Sequence, residues 1–181
     1  MSRPEPGVDP VWTAIATIRV NRRFTDRPLE PDHLDRILRA GRRAGSSKNL
    51  QRWTFIVIRD RGRLEEVAAV GPWAGHLAGA STAIALVTPD PYAPGAPLSI
   101  MFDLGRAAQN MVLAAWELGI GSVPATVYEH DLARQLLGYP ADQRCEYLLS
   151  FGYPADAAEL TAPPRAGGRR DLDEMVRQER W

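Results

Sequence analysis

Alternating stretches of hydrophobic and polar positions predict helices and short strands along most of the chain. Apolar residues at helical spacing predict a first helix from Val11 to Ile18 and a second helix after Pro31. In the second helix Asp32 is expected at the N-cap or in the first turn, and the end is expected near Gly41–Gly45. Compact runs of β-branched, aromatic and other apolar residues predict four strands, at Trp53–Ile58, Ala83–Val87, Val123–Tyr128 and Tyr147–Phe151.

The most strongly helical segment is Phe102–Leu118. Apolar residues occupy so much of its circumference that we predict a central, buried helix, ended by Gly119 and Gly121. The proline-rich segment Pro89–Pro97 predicts a loop or lid. Further helices are predicted at Arg61–Val70, at Asp131–Leu137 and in the polar tail that ends at Trp181.

The order of these elements predicts an α+β fold, with one sheet and helices around a long central helix. We expect residues 1–10 to form a flexible arm and residues 11–181 to form a single domain, since 181 residues are typical of one domain. The arm has no apolar core of the kind found in secretion signals, and no apolar run approaches the ~18 residues needed to span a bilayer. A cytoplasmic protein with no membrane partner is therefore expected.

The formal net charge of zero conceals an uneven distribution of charge. Residues 1–63 carry 14 basic and 7 acidic side chains, whereas residues 64–162 carry 3 basic and 11 acidic ones. An arginine-rich segment is typical of a nucleic-acid interface, an anion site or a solvated surface. Because the chain lacks interleaved aromatic and basic residues and any nucleic-acid-binding module, no nucleic-acid partner is expected.

Several common catalytic patterns are missing from the sequence. There is no G-x-G-x-x-G, P-loop, H-E-x-x-H or G-x-S-x-G motif. The single cysteine, Cys145, excludes an internal disulfide and a Cys-rich zinc site, and it has no neighbouring base. No metal site is predicted.

Two polar clusters remain as candidates for chemistry. The first is Arg19–Phe24, where Arg19 and Arg22 are three residues apart and are expected to share a helical face that suits a phosphate or delocalised anion. The alternative is a pair of surface arginines. The second is Gly45–Trp53, whose hydroxyl and amide groups suit hydrogen bonding to a polar heterocycle. The alternative there is an ordinary turn after a helix.

Together these motifs resemble the flavin-dependent nitroreductase family, from about Ile15 to the C-terminus. The resemblance implies a nitroreductase-like fold with a mixed or antiparallel central sheet, assembled as a homodimer with FMN at the subunit interface. The segments that carry it are Arg19–Pro28, Ser46–Phe55, Asp103–Asn110, Gly119–Ser122, Phe151–Pro154 and Gly168–Glu174.

The function implied by this resemblance is reduction of a small acceptor with NAD(P)H as co-substrate. A nitroaromatic, a quinone or an enone-like compound is the expected acceptor, in a ping-pong reaction whose chemistry the flavin carries. No catalytic residue is therefore assigned, and Arg22 is expected to stabilise the reduced flavin electrostatically. The alternative is a flavin- or deazaflavin-binding protein of the same fold with little turnover, in sequestration or regulation.

The resemblance also assigns roles to individual residues. Ile18, Val20 and Gly45 stand where the family commonly has Arg, Ser and Pro, so we expect either weaker FMN binding or more phosphate binding by the tail, together with a looser loop at Gly45. Because the Pro89–Pro97 loop is expected to act as a lid, the substrate pocket is predicted to include Trp73, His76, Tyr92 and Phe102. The predicted cofactor-binding residues are Arg19, Val20, Asn21, Arg22, Ser46, Ser47, Asn49, Gln51, Pro124, Ala125, Thr126, Arg169 and Arg170.

Overall fold

The computed structural model describes residues 10–163 and 168–181. The predicted arm therefore lies outside the described residues, except for Pro10, which begins the first helix. In chain order the helices and strands are α1 Pro10–Thr17, α2 Pro31–Arg42, β1 Thr54–Ile58, α3 Arg61–Val67, β2 Thr82–Pro89, α4 Ser99–Glu117, β3 Gly121–Thr126, α5 His130–Leu137, β4 Gln143–Gly152 and α6 Leu172–Met175. Short 3-10 turns occur at Ser47–Asn49, Ala68–Val70, Gly75–Leu77 and Ala157–Thr161.

The strands form one antiparallel sheet in the order β1-β2-β4-β3. The central strand β2 is buried from Thr82 to Thr88, since helices cover both faces of the sheet. On one face the strands pack with Leu64 and Val67 of α3 and Ala133 of α5. The opposite face packs against apolar residues of α2 and α4, which are Leu34, Ile37, Leu104, Met111 and Ala115. The α+β class and the antiparallel sheet are confirmed.

Helix boundaries follow local signals where such signals exist. Pro31 occupies the first turn of α2 and Asp32 is a first-turn acid, whereas the N-cap is Glu30 rather than Asp32. Gly138, at φ 71°, ends α5 in the left-handed conformation that glycine adopts without strain.

In the described part of the chain, no helix combines the length and the hydropathy needed to cross a membrane.

Several predicted boundaries differ from the structure, among them that of β3, which spans Gly121–Thr126 instead of Val123–Tyr128. Helix α4 begins at Ser99 instead of Phe102, and β4 begins at Gln143 instead of Tyr147. The polar start of β4 is a strand because it pairs with Val87–Pro89 of β2, and local hydrophobicity does not report that pairing. The tail helix ends at Met175, not at Trp181, and buries none of its side chains.

Helix α4 is buried on one face only. Asp103, Leu104, Ala107 and Met111 are among its buried residues, whereas Phe102 on the outward face is 69% exposed. The apolar residues that suggested burial all round are therefore divided between the core and an outer surface of the chain.

The segment after α1 adds to the sheet beside β3. Val20 forms a parallel bridge with Ser122, and Asn21 N donates to the Ser122 carbonyl at 3.1 Å. Phe24 forms an antiparallel bridge with Pro154. These backbone contacts hold the arginine-rich segment along the β3 edge of the sheet.

Candidate functional site

A cavity of about 580 Å³ opens where the arginine-rich segment meets β3. It brings together three segments that are distant in sequence, with the lining residues Arg22, then Pro72, Trp73, Gly75 and His76, and finally Pro124. Two predicted cofactor residues, Arg22 and Pro124, therefore share one cavity with two predicted substrate residues, Trp73 and His76. Its volume lies within the ~300–1,000 Å³ of small-molecule sites.

The two arginines of the first cluster have different environments. Helix α1 ends at Thr17, so Arg19 and Arg22 do not share a helical face, and that prediction is wrong. Arg19 turns back and donates from Nη1 to the carbonyls of Ala16 at 3.1 Å and Ile18 at 2.7 Å. The exposed Arg22 side chain has no hydrogen bond or ion pair within the described residues and lines the cavity. Arg22 is thus the cation available to a ligand.

Asn21 is the most deeply buried polar residue of this segment, at 1% exposure. Neither Nδ2 nor Oδ1 of its amide has a partner within the described residues. The side chain packs on Gly121, where an added Cβ would lie 2.7 Å from the Cβ of Asn21. Because buried amides are almost always hydrogen-bonded in folded proteins, this amide calls for a polar ligand or an ordered water.

His76 is the titratable side chain closest to Arg22 in the cavity. Its Nδ1 lies 2.9 Å from Oγ of the buried Ser150, which also donates to the Val123 carbonyl at 3.2 Å. Burial lowers the pKa of His76 below 6.5 and the charge of Arg22 lowers it further, whereas the nearby Pro124 backbone acts in the opposite direction. His76 is therefore mainly neutral at pH 7 and above.

The second predicted cluster forms a loop against α4, away from the residues that line the cavity. Ser47 N donates to Asp103 Oδ2 at 2.8 Å, and Gln51 N donates to Ser46 Oγ at 3.0 Å. Asn49 and Gln51 are exposed, at φ values of 56° and 46°. Non-glycine residues in this conformation cost about 1–3 kcal/mol each and concentrate at functional sites.

The remaining predicted residues lie outside the cavity lining. Tyr92 is 70% exposed, with the Arg144 guanidinium 5.1 Å from its ring centre, and Phe102 lies on the outer face of α4. Both were expected in the substrate pocket because the Pro89–Pro97 loop was expected to be a lid. The other predicted cofactor residues outside the lining are the exposed Val20, Thr126, Arg169 and Arg170 and the buried Ala125.

Two site residues were not singled out from the sequence. Ser150 lies within an apolar strand and Asp103 lies on the buried face of α4. A polar residue among core positions was the available signal, but its partner could not be predicted because the partner comes from another element.

The described residues give little support to metal or thiol chemistry. Among residues 10–163 and 168–181, no three His, Cys, Asp or Glu side chains are grouped so that they could hold a metal ion. Burial raises the pKa of the Cys145 thiol to about 12, so Cys145 is a core residue rather than a nucleophile.

The fold and cavity define an α+β protein with a cavity of small-molecule size beside Arg22, which has no ion pair within the described residues. The family model described as "Nitroreductase family" matches residues 15–153. The chain belongs to the nitroreductase family, as its motifs indicated.

Similar proteins cover nearly the whole chain. A relative from Archaeoglobus fulgidus, provisionally named an NADH dehydrogenase/NAD(P)H nitroreductase, is 34% identical over 172 residues, covering 92% of this chain and 96% of that protein. A provisionally named nitroreductase from Desulfovibrio desulfuricans, solved in complex with FMN, is 30% identical with a TM-score of 0.78, covering 97% of this chain and 99% of that one. A Parabacteroides distasonis structure, provisionally named like the first, has a TM-score of 0.83 at 26% identity, covering 96% and 100%.

Proposed function

We propose that this chain reduces a small conjugated acceptor at the cavity beside β3, with FMN as cofactor and NAD(P)H as electron donor. The observation that carries the proposal is the guanidinium of Arg22 at the cavity, which has no hydrogen bond or ion pair in the part of the chain that the structure describes. Family membership and the 34% identical relative support the coarser assignment, an NAD(P)H-dependent flavin oxidoreductase. The acceptor class, a nitroaromatic, quinone or enone-like compound, is the finer part of the proposal.

The residues of the cavity fit FMN. Its volume accommodates a small-molecule ligand, Arg22 supplies positive charge, and the unpartnered Asn21 amide lies in the same segment. A bidentate guanidinium suits either a phosphate or the electron-rich edge of a ring, which are the anionic and polar parts of this cofactor.

When bound, FMN supplies the two-electron chemistry between nicotinamide and acceptor. The chain's own residues would bind and orient the reactants. Arg22 stabilises negative charge in the cavity, Pro124 places backbone along one side, and the indole of Trp73, which is 79% exposed, offers a flat apolar wall for the acceptor.

We also propose that two copies of the chain form the working enzyme. The outward faces of α1, α2 and α4 enclose a mostly apolar groove of about 550 Å³. Exposed apolar surface of this kind, rimmed here by arginines, is typical of protein interfaces. The groove is lined by Pro10, Val11, Ala14, Arg36, Arg39, Ala40, Arg43, Leu113, Ala114, Trp116 and Glu117.

Titration with FMN tests the cofactor site directly. The cofactor-free protein is expected to bind FMN, with an absorbance band near ~450 nm, and Arg22→Ala is expected to weaken binding by about 10- to 100-fold because one charge-assisted interaction is lost. Arg59→Ala, which removes an exposed arginine outside the cavity, is the matched control. Binding unaffected by Arg22→Ala would exclude the cavity as the cofactor site.

Anaerobic mixing with NADH or NADPH separates the enzyme from a flavin-binding protein with little turnover. Rapid bleaching of the ~450 nm band, followed by recovery on adding a quinone or nitroaromatic, is expected for the enzyme. A bound flavin that neither nucleotide bleaches would favour the storage or regulatory alternative.

A further inference from the structure

The loop Ser46–Gln51, which we call the polar loop, adopts a conformation that its sequence does not favour by itself. Lys48, Asn49 and Gln51 have φ values of 51°, 56° and 46°. L-residues with side chains rarely occupy this region, and such residues persist only where surrounding contacts hold them. The polar loop therefore requires an anchor.

Most hydrogen bonds of the polar loop stay within it. Gln51 N donates to Ser46 Oγ, and Gln51 Nε2 donates to the Asn49 carbonyl at 3.2 Å. Within the described residues, one hydrogen bond joins the loop to another element, from Ser47 N to Asp103 Oδ2 at 2.8 Å. The loop is thus tied to α4 at a single carboxylate.

Asp103 is unusual among the carboxylates of the chain. It is only 6% exposed and forms no ion pair within the described residues. A buried carboxylate is costly unless donors satisfy it, and the Ser47 N–H is such a donor. Within the described residues, the Asp103 side chain therefore contacts the loop and not a cation.

A second residue of α4 contacts the entry to the loop. Arg106 lies one turn after Asp103, and its Nη2 would be 2.5 Å from a Cβ added at Gly45. Because Gly45 has no side chain, the guanidinium can lie against the backbone there. The loosening expected from glycine at this position is thus opposed by contacts from α4.

We propose that Asp103 is a positioning residue that holds the polar loop so that its side chains can reach the flavin. Asn49 and Gln51 are exposed, and the side-chain amide of Asn49 forms no hydrogen bond within the described residues, so it is available to a ligand. The inference rests on the proposed function and on the proposed dimer: the loop lies away from the cavity of its own chain, so the flavin that it reaches is one held at the interface with a second copy. Asp103 itself has no role in the chemistry.

Hydrogen exchange and FMN titration of three variants test this proposal. Asp103→Ala removes the acceptor, Asp103→Asn keeps an acceptor oxygen at the same place, and Glu65→Ala removes an exposed carboxylate of α3 as control. In cofactor-free Asp103→Ala we expect amide exchange about tenfold faster across residues 46–53 only, and FMN binding weakened by about tenfold. Asp103→Asn is expected to stay within about threefold of wild type, and Glu65→Ala to match it.

Two outcomes would contradict the proposal that Asp103 anchors the loop. Unchanged amide hydrogen exchange in the polar loop and unchanged FMN affinity in Asp103→Ala would show that the loop keeps its conformation without Asp103. Equal loss of affinity in Asp103→Ala and Asp103→Asn, with faster exchange throughout the chain, would make Asp103 a general fold residue. If wild-type protein binds no FMN, the proposed function fails instead, while exchange in the cofactor-free chain still decides whether Asp103 anchors the loop.

Discussion

At the scale of single residues, the cavity sets the protonation of His76. Burial and the neighbouring charge of Arg22 both disfavour the imidazolium form, although the ring keeps a hydrogen-bond partner in Ser150. A histidine beside a positively charged arginine responds to that charge through its pKa. The pKa of His76 is therefore a measurable property of the cavity in the cofactor-free protein.

We predict that His76 makes the folded protein less stable in mild acid. Because its pKa is lower in the folded state than in the unfolded state, the neutral form gives full stability above about pH 6.5. Stability is lost as the pH falls through the folded pKa, since the unfolded chain takes up the proton more readily. Urea denaturation at a series of pH values should show this loss in wild type and a smaller one in His76→Gln.

A matched variant separates this effect from general acid denaturation. His33→Gln removes a histidine outside the cavity and is the control: a loss of pH dependence as large as that in His76→Gln would contradict the assignment to His76. In NMR titrations Arg22→Ala should raise the pKa of His76, because one lowering influence is gone. An unchanged His76 pKa in that variant would contradict the proposed electrostatic contact.

At the scale of elements, two glycines of the sheet let the arginine-rich segment pack closely on it. An added Cβ at Gly121 would meet Asn21, and one at Gly152 would lie 2.8 Å from the Phe24 ring. Bridges to Ser122 and Pro154 run beside these contacts. Glycine at both positions lets the segment pack directly on β3 and β4, and this packing brings Arg22 to Pro124.

We predict that Gly121→Ala destabilises the fold by about 1–3 kcal/mol, the usual cost of overpacking a filled site. The clash is with the Cβ of Asn21, which cannot move without its backbone. The shifted segment should also weaken FMN binding. Thermal denaturation and FMN titration measure the two effects.

Gly105→Ala is the control for this prediction. Nothing lies within 4 Å of a Cβ added there, and alanine is favoured over glycine in a helix by about 1 kcal/mol. Gly105→Ala should therefore be neutral or stabilising. If Gly121→Ala were also neutral or stabilising, the close contact with Asn21 would not be needed to pack the arginine-rich segment on β3.

At the scale of the whole molecule, one core is complete while another apolar surface is left uncovered. The sheet buries both of its faces against helices. The groove between α1, α2 and α4 and the exposed Phe102 remain accessible in the single chain. A second copy that covers this side would explain why α4 is apolar around so much of its circumference.

We predict a dimer in solution, with twice the 20.0 kDa mass of one chain. Leu113→Glu places a charge in the groove and should shift the mass toward one chain, because an unpaired charge is costly in an apolar interface. Leu98→Glu, at a leucine that is 93% exposed and outside the groove lining, should leave the mass unchanged. Light scattering after size-exclusion chromatography distinguishes these outcomes, and a wild-type monomer would contradict the prediction.

The sequence by itself determined the kinds of elements, their order and the family. Periodicity is a local property, so α2, β2 and α4 could be located from nearby residues, and short motifs such as Arg19–Phe24 and Ser46–Trp53 carried the resemblance. Even the alternation of polar and apolar residues pointed to a long helix with an unusually wide apolar surface.

Only the tertiary structure decided which of these residues meet. Arg22, the neighbouring pair Trp73 and His76, and Pro124 come from three separate segments, and strand pairing and close packing bring them to one cavity. The same holds for Arg19, which turns to its own helix end, and for Asp103, whose partner is 56 positions away. Contacts of this kind depend on how elements pack in three dimensions, and no local pattern encodes them.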